Sequence, residues 1–95
     1  MLFDEARELI IKEASRIKTI KNVCVTQNEV KNFLKINFFY RENYIAEVLL
    51  FGYKKQSRLE VNIDEKEIKR LPFLCKDFVS NILKLQQEIG RHYVF

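Results

Sequence analysis

The stretch that decides the fold reads Asn32-Phe-Leu-Lys-Ile-Asn-Phe-Phe-Tyr-Arg41, then Tyr44-Ile-Ala-Glu-Val-Leu-Leu-Phe-Gly-Tyr53, then Leu59-Glu-Val-Asn-Ile63. The three runs are rich in aromatic and β-branched residues, and side chains alternate across a strand, so they read as a three-stranded antiparallel meander. In the first run Leu34, Ile36, Phe38 and Tyr40 share one face, and Phe33, Lys35, Asn37, Phe39 and Arg41 the other. A two-residue turn at Glu42-Asn43, with Asn able to take positive φ, sets Ile45, Glu47, Leu49, Phe51 and Tyr53 beside the Leu34 set. Tyr44, Ala46, Val48, Leu50 and Gly52 then join the Phe33 set. A five-residue loop from Lys54 to Arg58 brings Leu59, Val61 and Ile63 to the Leu34 face, with Glu60 and Asn62 opposite. A loop one residue shorter swaps them.

Working outward, Val23-Cys-Val-Thr26 is a short β-favouring run that Gln27-Asn-Glu interrupts, and it adds an edge strand before the meander. Upstream, Phe3, Ala6, Leu9, Ile10, Ala14 and Ile17 recur at helical spacing, which predicts a helix over Asp4–Thr19 with Asp4 as N-cap. Acids in its first turns and bases at its end suit the helix dipole. Downstream, Asp64-Glu-Lys-Glu67 has the spacing of a capping box and opens a helical turn through Leu71. Pro72 starts a second long helix to Ile89, closed by Gly90, with a stripe of Leu74, Phe78, Ile82, Leu85 and Ile89 that Cys75 and Val79 widen. Such a wide stripe predicts a helix packed centrally across the sheet. The tail Arg91-His-Tyr-Val-Phe95 is apolar enough at its end to dock.

The expected architecture is a single α+β domain over residues 1–95. It is a three- to four-stranded antiparallel meander flanked by N- and C-terminal helices, in α-β-β-β-α order. Double-stranded-RNA-binding domains share that order, but Pro72–Asp77 lacks the lysine cluster with which their second helix meets phosphates, so membership is not read from it. Ninety-five residues suffice for one core with little margin. An apolar share of 47% argues against disorder.

Acids stand near the N-terminus where a signal peptide needs bases, and no apolar run reaches the roughly 18 residues of a membrane span, so a cytoplasmic chain with no membrane contact is expected. Cys24 and Cys75 lie far apart and no His is near either in sequence, which predicts two buried free thiols and neither a zinc site nor a redox pair. The net charge of +4 is spread along the chain rather than gathered in one basic stripe.

Helices can cover only one face of such a sheet. Phe33, Phe39, Tyr44, Val48 and Leu50 are then left as an apolar patch large enough to mark an interface, unless a terminal segment folds over it. The first functional reading is therefore a non-enzymatic interaction module that meets itself or another protein through that face or a strand edge, most simply as a homodimer. The alternative is single-stranded nucleic-acid binding: aromatics stack bases while Lys35, Arg41, Lys54, Lys55 and Arg58 meet phosphates. A third reading, a small metal-dependent nuclease using Glu47, Glu60 and Asp64, rests on Glu60-Val-Asn62, a remote relative of an acid-x-Lys strand. The lone His92 has no acid or nucleophile placed to make it a general base, and no catalytic or metal-ligand motif or cofactor loop appears.

Overall fold

The computed structural model describes residues 2–53 and 56–91. The first helix, α1 (Phe3–Ile17), is followed by four strands, β1 (Val23–Val30), β2 (Phe33–Tyr40), β3 (Asn43–Tyr53) and β4 (Gln56–Ile63). A one-turn helix, α2 (Glu65–Ile68), and the long α3 (Phe73–Arg91) complete the order. The strands form one antiparallel sheet in the order β1-β2-β3-β4, so the α+β meander between helices stands.

Helix α1 buries Ala6, Ile10, Ala14 and Ile17, spaced to make one stripe, and α3 buries Phe78, Val79, Ile82 and Ile89. Both stripes press on the sheet face of Leu34, Ile36, Phe38, Val48, Leu50 and Leu59, with Phe38 and Phe78 rings 4.6 Å apart. The helices do not centre on the sheet: α3 lies along β4 and against α1, and α1 reaches β3. Asp4 sits inside the first turn of α1 rather than capping it, since the N-cap is Leu2. At α2 the capping expectation holds, with the Asp64 carboxylate accepting from the amides of Lys66 (3.0 Å) and Glu67 (3.2 Å). Helix α3 passes through Gly90 instead of stopping before it.

The edge strand β1 is twice the length its apolar run suggests, continuing through Gln27, Asn28 and Glu29. Those polar residues are exposed at the sheet edge, where backbone pairing to Ile36, Lys35 and Leu34 needs no apolar side chain. Glu29 also holds a bidentate ion pair with Arg7 of α1, Nη2 to Oε2 at 2.9 Å, and that hydrogen bond lowers the Glu29 carboxyl below its ordinary range. Cys24 on this strand is exposed and free, which corrects the expected buried thiol; the side chain of Cys75 and the tail 92–95 lie outside the described residues.

The register of β3 departs from the expected one for two reasons. The β2–β3 turn is Arg41-Glu42, one residue early, and both take positive φ (50° and 67°), as the right-handed twist of a two-residue hairpin demands. The pairing then shifts between Phe38↔Ala46 and Phe39↔Tyr44, leaving Ile45 as the extra residue of a β-bulge. Ile45 and Ala46 are consecutive and both buried, and the Ile45 carbonyl accepts from the Asp64 amide at 2.8 Å. The early turn preserves the faces, whereas the bulge inverts them for every later residue of β3. Ala46, Val48 and Leu50 therefore lie under the helices, and Glu47, Leu49 and Phe51 on the other side. In β4 the expected sidedness holds: Leu59, Val61 and Ile63 face the helices, with Glu60 and Asn62 opposite.

Gly52 also follows from the inverted faces. It lies on the helix side opposite Ser57, and a Cβ built there would stand 2.9 Å from Phe3 Cδ2 and 3.0 Å from Phe3 Cβ. The Phe3 ring must therefore leave its place and the start of α1 shift by a few tenths of an ångström. Gly52→Val is expected to lower stability by about 1–3 kcal/mol through overpacking, against the ~1 kcal/mol at most that β-propensity would add. Urea midpoints for Gly52→Val, Phe3→Ala and the double variant check this: the double variant should recover part of the loss, and strict additivity of the two would contradict it.

Candidate functional site

The sheet face turned away from α1 and α3 has no described helix over it. Antiparallel pairing sets its side chains in rows across the strands. One end row is Val30, Phe33, Phe51 and Arg58, and the next is Asn28, Lys35, Leu49 and Glu60. Then come Thr26, Asn37, Glu47 and Asn62, and the last row holds Cys24, Phe39 and Tyr44. Aromatic rings thus occupy the two ends, with a polar belt between them around Leu49.

The rings pack on one another. Phe33 and Phe51 centroids are 5.2 Å apart, and the Arg58 guanidinium lies 4.9 Å from the Phe51 centroid, within cation–π reach. At the far end Phe39 and Tyr44 meet edge to face at 6.3 Å. The Tyr44 hydroxyl donates to the Asn62 carbonyl at 3.4 Å. Desolvation raises the Tyr44 phenol above its ordinary range, and the charges of Glu47 and Asp64 add to that. Even so Tyr44 keeps 38% of its surface exposed, and Tyr53 and Val30 at the other end keep 64% and 66%.

In the belt, Lys35 Nζ sits 3.5 Å from Glu47 Oε2, and Asn62 Nδ2 donates to Glu47 Oε1 at 3.2 Å. Arg58 Nη2 is 3.0 Å from Glu60 Oε1. The two cations among the described residues of the face thus each have an acid of the same face beside them, and these four charges cancel. Arg41 stands in the β2–β3 turn with its guanidinium 5.3 Å from the Tyr40 ring, and Tyr40 belongs to the helix side.

Of the residues expected to bind a partner, Phe33, Phe39 and Tyr44 do share the open face. Val48 and Leu50 do not: they are 1% and 0% exposed beneath the helices, because the bulge at Ile45 reverses their side. Leu49, Phe51 and Tyr53 take their place, and the expected arrangement put them in the core. One signal could have exposed the error. That register put Glu47 in an apolar core with no buried cation, and moving it outward requires an extra residue just where Ile45-Ala46 breaks the alternation. Among the expected nucleic-acid contacts, Lys35 and Arg58 lie on the open face and Arg41 at its rim, while Lys54 and Lys55 fall outside the described residues.

Glu47 and Glu60 are engaged in the pairs above, and the Asp64 carboxylate caps α2. Among the described residues no group of three or more His, Cys, Asp or Glu is placed to hold a metal ion, and no helix is long and apolar enough to cross a membrane. A separate cleft between the end of α1 and α3 is lined by Glu13, Arg16, Thr19, Asp77 and Asn81, but Arg16 is bound back to Glu13 at 3.2 Å. The buried hydroxyl of Ser57, without a partner among the described residues, lies on the helix side and lines neither that cleft nor the open face. No family model, curated protein or solved structure matches the chain.

Proposed function

We propose that the protein is a binding module whose open sheet face docks on a protein surface, its own or another's. What supports the reading is the pairing of exposed and half-exposed rings with a polar belt that has already neutralised itself. Aromatic anchors around a belt of matched charges resemble the make-up of a protein interface more than that of a phosphate-binding surface, which needs cations to spare. A nucleic acid laid on this face would have to compete with Glu47 for Lys35 and with Glu60 for Arg58. The exposed free thiol of Cys24 fits a reducing compartment such as the cytoplasm.

A photo-crosslinking amino acid at position 49, the centre of the face, tests the reading in the native host. A protein adduct is expected from position 49, and none from the same group at position 5, on the exposed side of α1. A nuclease-sensitive adduct at 49 would hand the face to nucleic acid instead, and failure to form any adduct would remove the reading.

A further inference from the structure

We infer that the partner seated on the open face is a second copy of this chain, laid sheet on sheet about a two-fold axis; the inference rests on the docking reading above. The argument is the symmetry of the face. A two-fold axis lying in the plane of a face-to-face contact either exchanges its two ends or returns each end upon itself. Both ends here are aromatic, Phe33 and Phe51 at one and Phe39 and Tyr44 at the other. Either axis therefore sets rings against rings and the polar belt against its own image.

Charge favours a second copy over a partner of strong net charge. The chain carries +4 overall, which would resist self-association if it were shared by the contact surface. Among the described residues of the open face the charges balance, with Lys35 and Arg58 beside Glu47 and Glu60. Across the two-fold the central Lys35–Glu47 pair meets its own image, while each copy's Arg58–Glu60 pair on the edge strand stays matched within itself, so no unpaired charge of these pairs is desolvated. Among the described residues an acidic partner finds no excess cation on this face, and a basic one no excess anion.

The size of the face sets the strength. Four strands about 4.8 Å apart, each contributing about eight residues at about 3.3 Å, present roughly 500 Å² per copy. A pair would bury about 1,000 Å², the low end for a specific interface, which implies a dimer that forms with concentration rather than an obligate one.

The test exchanges charges in the belt. In Lys35→Glu the face becomes net negative, and in Glu47→Lys net positive; both positions are half-exposed, so the fold should survive, and matching thermal melts verify it. Sedimentation equilibrium of the wild type is expected to rise from the 11.5 kDa of one chain toward twice that value with concentration. Each variant alone should dissociate on the order of 10- to 100-fold more readily, since like charges now face one another. An equimolar mixture of the two should recover the two-chain mass, because a negative face meets a positive one. If either variant melts early, the Arg58→Glu and Glu60→Lys pair carries the same exchange. A wild type at one-chain mass at every concentration, variants that pair as the wild type does, or a mixture that fails to recover would each overturn the second copy. A crosslink from position 49 to a different protein would overturn it too, while leaving the docking reading intact.

Discussion

Val48→Glu is expected to leave no cooperatively folded protein, whereas Leu49→Glu, one residue on, should fold and melt nearly as the wild type does. Val48 is 1% exposed between Ile36 and Val61 on the helix side, so a carboxylate there has neither water nor a cation. Burying such a charge costs several kcal/mol even after the group neutralises itself by protonation. The whole domain has roughly 5 to 14 kcal/mol to lose, judged by its length. Leu49 points the other way and lies between Lys35 and Glu60, where a second carboxylate remains hydrated and has a cation nearby. Circular dichroism melts of the two variants check the pair. Equal damage from both would mean that the Leu49 face is also covered, and the reverse ranking would mean that the bulge is misplaced.

Phe78→Ala should be the most damaging truncation on α3, at about 3–5 kcal/mol. Its ring is 5% exposed and tilts against Phe38 at 4.6 Å, in the part of the core where α3 crosses the sheet beside Ile17 of α1 and Leu71. Removing it empties a site walled by α1, three strands and the link before α3, so several separate parts of the fold would have to shift together to fill it. Truncation at Leu83, on the same helix but 39% exposed, should cost under about 1 kcal/mol. Urea denaturation of both variants measures the difference, and similar midpoints would show that the buried side of α3 is wrongly assigned.

The parts of this fold that were legible in sequence are those set by local repetition. Ala6, Ile10, Ala14 and Ile17 mark α1, and Asp64 marks the start of α2, because spacing and capping act within one turn of chain. The sides of β2 were equally readable from its alternation. The bulge was not, since it depends on which residue of β3 loses its partner, and that is settled by how Ile45 and Ala46 both reach the core while the Ile45 carbonyl finds the amide of Asp64. That single step moved Val48 and Leu50 from the candidate site into the core and brought Leu49 and Phe51 out. The polar half of β1 was unreadable for a different reason: an edge strand needs a backbone neighbour, and Gln27, Asn28 and Glu29 carry no apolar signal of one.

The sheet order β1-β2-β3-β4 also says something about how the chain finds its shape. Each strand pairs only with its neighbours in sequence, and the first two hairpins close through Lys31-Asn32 and Arg41-Glu42, so each small loop costs little entropy before its pairing begins. A meander of this kind can zip outward from one hairpin without searching for a distant partner. The contacts between elements far apart in sequence are those of α1 with α3 and with β3 and β4, which bring the first and last described helices together over the sheet. The sheet is thus built from contacts between neighbours in sequence and its covered side from contacts between distant ones, so any form of the chain in which the helices have come away would expose two apolar sheet faces instead of one.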